Sequence, residues 1–161
     1  MLKEKQDSVV HGHPPAGHSA SPEGSSDRLW VQLVQSSWTS VALVPTAAGM
    51  SGRALGEALA KVGSDYRGRS VLLIDAERLS RAESRAVVER LAAAEERHAL
   101  VVTIDAPVMS QSALLVARAV DAAVLLVGLE RTTLADARRT VEMLGKEKIL
   151  GGVTIAPRSR L

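Results

Sequence analysis

Three groups of residues have the types and spacing for chemistry on phosphate. Residues 41–61, VALVPTAAGMSGRALGEALAK, run from an apolar stretch through a loop of small residues into an alanine- and leucine-rich amphipathic segment. That is the layout of a phosphate-binding loop. In such a loop glycines let backbone N–H groups curl around phosphate oxygens, a lysine reaches the β- and γ-phosphates, and a Ser or Thr hydroxyl ligates Mg²⁺. The other two groups are Asp75, which ends VLLID, and Asp105, which ends LVVTID. A carboxylate at the end of a buried apolar strand is costly unless it meets a cation, a helix N-terminus or water.

The loop departs from a working one at the positions that carry the chemistry. Its frame runs from Ala47 through Gly49, Ser51 and Gly52 to Arg53 and Ala54. Gly52 is kept. Arg53 keeps a positive charge, but its planar fork is larger than an ammonium and does not replace lysine conservatively. Ala54 has no oxygen, so the Mg²⁺ ligand is missing. Gly49, Ser51, Gly52, Arg53, Ala54, Asp75 and Asp105 are therefore the candidate degenerate phosphate site, with no catalytic residue and no metal ligand assigned. Asp75 and Asp105 have two readings. They position Mg²⁺ and water, or they cap the following helix and hydrogen-bond the Gly49–Ala54 loop; lacking a hydroxyl ligand for the metal, the second is favoured.

The elements that must position these residues can be read from the apolar pattern. Short continuous runs rich in β-branched residues occur at 41–44, 70–75, 99–105, 122–128 and 151–156, as expected of strands buried on both faces. Helical patterns lie between them at 52–62, 80–97, 110–120 and 133–147. Ser80 and Glu83 form a capping box on the second, and Leu134, Ala137, Val141 and Leu144 make one stripe on the fourth. Before the first strand, a short helix capped by Ser26 or Asp27 is favoured over an edge strand using Val31 and Val34. The alternation predicts an α/β fold: a three-layer, doubly wound, mainly parallel sheet of about five strands with helices on both faces. Ligands of such sheets bind beyond the carboxyl ends of the strands, where Gly49–Ala54, Asp75 and Asp105 all fall.

The 161 residues fit one domain, placed at 28–157. Residues 1–27 read as a disordered tail and 158–161 as a short C-terminal one. His11, His13 and His18 in the first tail read as solvated side chains rather than metal ligands. With 46% hydrophobic but only 2% aromatic residues, the core must be built from Ala, Val and Leu. There is no cysteine, which excludes disulfides and thiolate metal sites. No apolar stretch is long enough to insert in a membrane. A net charge of +2 gives no argument for nucleic acid, and Arg131, Arg138 and Arg139 read as a solvated face. Trp30 and Trp38, at the entry to the first strand, are expected to cover the sheet edge.

In order along the chain, VALVPTAAGMSGRALGEALA, RGRSVLLIDAE, the block from HALVVTIDAP to RRTVEML, and GGVTIAP resemble the core of MinD/ParA-type P-loop ATPases. The closest likeness is to the cytoplasmic domain of bacterial capsular and exopolysaccharide tyrosine autokinases. The likeness covers roughly residues 41–157. It implies a P-loop NTPase-like fold in which Asp75 belongs to the second acidic motif and Asp105 to the Walker B strand. Arg53 stands at the family's lysine position and Ala54 at its Mg²⁺ ligand, and the segment between the acidic motifs, 76–98, is much shorter than usual. The only tyrosine, Tyr66, lies on a loop instead of in a C-terminal cluster.

The resemblance thus implies a pseudoenzyme: a pseudo-ATPase or pseudokinase accessory to polysaccharide synthesis and export, with ATP or ADP and Mg²⁺ bound weakly at most. Its expected partner is an inner-membrane polysaccharide co-polymerase or a cognate kinase, with a homodimer through residues near 107–118 as a further expectation. The expected location is cytoplasmic, with recruitment to the inner membrane through the partner. The alternatives are a weakly active or nucleotide-sensing ATPase, and a positioning factor like MinD or ParA proteins; APRSRL is too short for a membrane-binding helix, and Arg158 and Arg160 read as solvated.

Overall fold

The computed structural model describes residues 22–66 and 70–156, so His11, His13, His18 and the last residues of the chain lie outside it. The five apolar runs form five strands: β1 (Ser40–Pro45), β2 (Ser70–Ala76), β3 (His98–Ile104), β4 (Ala122–Gly128) and β5 (Ile149–Ile155). All pairings are parallel, in the order β2-β3-β1-β4-β5. Every residue of β1 is buried, because its alternate side chains face opposite helical layers.

Those layers are α1 (Pro22–Leu33) and α2 (Arg53–Asp65) on one face, and α3 (Arg81–Ala92), α4 (Gln111–Ala119) and α5 (Leu134–Leu144) on the other. Val41 and Leu43 pack toward α1 and α2, with Trp30, Leu59 and Val101. Ala42 and Val44 pack toward α3–α5, with Ile104, Val116 and Leu144. This is the expected three-layer α/β architecture. β1 is followed by a helix on one face and its neighbour β3 by a helix on the other. That switch point between two central strands is where such sheets leave a crevice.

Several local readings change. α1 begins at Pro22, so Ser26 and Asp27 lie within it rather than at its N-cap; the edge-strand alternative is also excluded, and residues 22–27 belong to the folded unit. A helix tolerates proline in its first turn, where the missing N–H would have no intrahelical acceptor. α3 stops at Ala92, short of residue 97, because the chain turns at Glu95, whose carbonyl accepts from His98 N–H at 3.0 Å. α5 stops at Leu144, since Gly145 takes φ 90°, and a 3-10 turn follows. On its stripe Leu144 is buried but Leu134 is 69% exposed; Thr140 is buried instead. Trp30 and Trp38 pack edge to face, centroids 6.1 Å apart, buried on the α1–α2 side of the sheet with Val71 of the edge strand β2.

β5 changes face part-way. Leu150 is an extra residue between Ile149, opposite Ala123, and Gly151, opposite Val124. Such a bulge reverses which side chains point to which layer. Ile149 joins the α3–α5 core, whereas Val153 and Ile155 turn to the α1–α2 side.

Candidate functional site

The loop after β1 crosses the carboxyl end of the sheet and enters α2 at Gly52, which has no side-chain cap of its own. Gly49 takes φ 74°, a conformation glycine adopts freely, and its carbonyl accepts from Arg131 at 3.1 Å. Thr46, buried at the start of the loop, donates its hydroxyl to the Leu126 carbonyl at 2.7 Å and lies 2.9 Å from the Thr132 hydroxyl. Thr132 accepts in turn from Gly128 N–H. The loop is thereby tied to the β4–α5 connection.

A residue that sequence reasoning passed over fills the place a phosphate would need. Glu77, two residues beyond Asp75, turns its carboxylate onto the start of α2. Its Oε1 accepts from the Ser51 hydroxyl at 2.6 Å and from Gly52 N–H at 3.1 Å. A helix N-terminus offers free N–H groups and a positive dipole end, so it attracts an anion. Here the anion belongs to the protein. The sequence signal was available in VLLIDAE, an acidic residue just past a strand end that faces a helix start.

Arg53 is committed in the same way. Its Nε donates to Glu57 at 3.1 Å, one turn along α2, and its guanidinium lies 3.3 Å from Asp75. The hydrogen bond to Glu57, then the charge of Asp75, raise its pKa above the ordinary arginine value. Asp75 also accepts from the buried Thr103 hydroxyl and from Glu77 N–H, both at 3.2 Å. Asp105 accepts from Arg78 N–H at 2.6 Å, which holds Arg78 at φ 57°.

Both aspartates therefore organise the β2–α3 connection, and Asp75 also meets the cation of the loop helix. Neither caps the helix that follows it. Those caps are Ser80 on α3, with Glu83 completing the expected capping box, and Ser110 on α4. The bonds from Ser80 lower the Glu83 pKa below the usual carboxylate range.

The seven candidate residues do not converge on one point. Gly49, Ser51 and Asp105 line a cavity of about 400 Å³ with Glu77, Arg78 and Met109. Arg53 and Asp75 form a pair beside it. Ala54 lines a different groove, between α1, α2 and β5. The residues present do not fit a Mg²⁺-nucleotide in a phosphate loop: the helix start is taken by Glu77, the cation is shared between two carboxylates, and position 54 offers no oxygen. Among the described residues no three His, Cys, Asp or Glu side chains are grouped to hold a metal ion. What the arrangement does chemically is to satisfy its own charges.

Met109 is 72% exposed on the β3–α4 loop, beside that cavity. Tyr66, at the end of α2, is also exposed. No helix among the described residues is long and apolar enough to cross a membrane. The sequence matches no protein-family model and no curated protein.

Proposed function

We propose that the chain is a non-catalytic, degenerate P-loop ATPase-like protein that acts by protein–protein interaction, as an accessory or regulatory component of bacterial exopolysaccharide or capsule synthesis and export. The observation that carries the non-catalytic part is the Glu77 carboxylate on Ser51 and Gly52 at the start of α2. Phosphoryl transfer depends almost wholly on placed cations and backbone donors aimed at the phosphates. In this loop Gly52 N–H and the Arg53 cation already serve internal carboxylates. The polysaccharide context is supported by the sequence resemblance alone. It puts the chain in the cytoplasm, docked on an inner-membrane polysaccharide co-polymerase or a cognate kinase.

Calorimetric titration of the whole chain with ATP, ADP and GTP, with and without Mg²⁺, tests the first part. No heat at millimolar nucleotide is expected. Binding tighter than about 100 μM, roughly −5.5 kcal/mol, would replace the scaffold reading with a nucleotide sensor. Co-purification from native membranes tests the second; failure to recover a polysaccharide co-polymerase or kinase would remove the polysaccharide assignment.

A further inference from the structure

The two faces of the sheet are unequally covered. Among the described residues, three helices pack on one face, and α1 and α2 pack on the other. The shortfall falls at β5, where the bulge at Leu150 turns Val153 and Ile155 toward the thinner layer. Those two side chains are only half-buried. With Ala54, Leu55, Ala58 and Val62 of α2 they line a groove of about 660 Å³, whose far wall is the start of α1.

The groove's shape and charge define what fits. It follows α2 from Ala54 to Asp65, about 16 Å at the helical rise of 1.5 Å per residue. That is the length of a short helix. Alanines at 54 and 58 let a helix backbone approach closely, since side-chain size at the contact sets interaxial distance. In a layered α/β fold, the element that covers an apolar sheet face is a helix.

Three charged side chains border the groove, and all are exposed: Asp27 on α1, and Lys61 and Asp65 on α2. None of the three makes an ion pair or side-chain hydrogen bond among the described residues. Two unpaired carboxylates against one ammonium favour a cationic occupant.

We propose that this groove docks an amphipathic helix of a partner protein, apolar along one face and basic along its flanks. The mode is helix-in-groove recognition, with anchors at i, i+4 and i+7. The proposal stands on the groove and its border charges, so it is separable from the polysaccharide assignment; Ser51 and Ala54 of the phosphate-loop frame share the groove's wall.

The test is fluorescence anisotropy of the whole chain with a labelled, amidated model helix carrying leucines at i, i+4 and i+7 and lysines on both flanks. A twin with glutamates for the lysines is the control. The lysine helix is expected to bind in the micromolar range, about tenfold or more tighter than the twin, and more weakly as salt rises. Ala58→Glu should abolish binding. Should that variant fold poorly by circular dichroism, the double variant Asp27→Asn, Asp65→Asn serves instead; both positions are exposed, and binding should fall about tenfold. No binding of either helix at millimolar concentration overturns the proposal, as does equal binding of the twin or affinity unchanged in a folded variant. An apolar dye that binds and is lost with Ala58→Glu, where the helix fails, would mark the groove as a small-molecule site and also overturn it.

Discussion

The two ends of the sheet solve the same problem with different consequences. At the amino end, Asp121 accepts from Thr39 N–H at 2.8 Å and Ser40 N–H at 3.0 Å, and its own N–H donates to the Ser40 hydroxyl. Trp38 donates to the Leu33 carbonyl at 2.7 Å, and Lys148 reaches the Val120 carbonyl at the end of α4. Every one of those contacts closes structure on structure. At the carboxyl end, where an α/β sheet ordinarily leaves donors and charges free for a ligand, Glu77, Asp75, Asp105 and Arg53 are engaged with one another and with backbone N–H groups. The carboxyl end here is built like the amino end. Charged groups are exposed at both ends, Asp121 at one and Arg53 (61%) and Asp75 (40%) at the other; the amino end differs in having Trp30 and Trp38 sealed in the core.

That difference predicts unequal costs. Trp30→Ala should be the most damaging change. The ring is buried against Trp38 and packs directly on Gly63, where an added Cβ would lie 2.6 Å from it, so removing it opens a cavity in the core. Its Nε1 has no hydrogen-bond partner among the described residues, so the loss is one of packing and cavity. A cost of about 4 kcal/mol is expected in guanidinium denaturation. Glu77→Ala should cost only about 1 kcal/mol, the order of a helix cap. Equal costs at the two positions would mean that the carboxyl end is a structural keystone.

A second pair of variants asks whether the carboxyl end is closed by Glu77 or merely lacks lysine and hydroxyl. Arg53→Lys with Ala54→Ser restores the residue types of a working loop but leaves Glu77 on Gly52. We expect no ATP binding at millimolar concentration by calorimetry. Adding Glu77→Ala to that pair should bring the dissociation constant down at least tenfold, about 1.4 kcal/mol. Strong binding by the pair alone would show that the Glu77 carboxylate yields to phosphate and does not close the site.

The fold was legible in the sequence because each level agreed with the next. Five apolar runs alternated with helical periodicity, and AAVLLVG was delimited to the residue. Boundaries were lost where local chemistry overrode pattern: Pro22 extended α1, the turn at Glu95 shortened α3, and Gly145 ended α5. The site was half legible. Types and positions located Gly52, Arg53, Asp75 and Asp105, but not their partners, because a side chain's direction beyond a strand end is set by tertiary contacts. Glu77 was hidden for that reason. So was the turning of Ala54 into the α1–α2–β5 groove, and the Leu150 bulge that turns Val153 and Ile155 into it leaves no mark in an apolar run.

A further contribution to stability lies outside the site, at the start of α3. Glu83 completes the Ser80 capping box on α3, accepting Ser80 N–H at 2.7 Å, and its pKa is lowered by those bonds. A carboxylate whose folded pKa lies below its unfolded value adds stability above the unfolded pKa, near 4.5, and loses it as pH falls through the folded one. Glu83→Gln keeps an acceptor for Ser80 N–H and removes the titration. Measured by denaturant midpoint against pH, the variant should therefore fall less steeply than the parent chain below about pH 5 and run parallel to it near neutrality. The exposed Glu83 leaves this a small term, well under the loss at Trp30. If the acid limb is unchanged in Glu83→Gln, its source lies elsewhere.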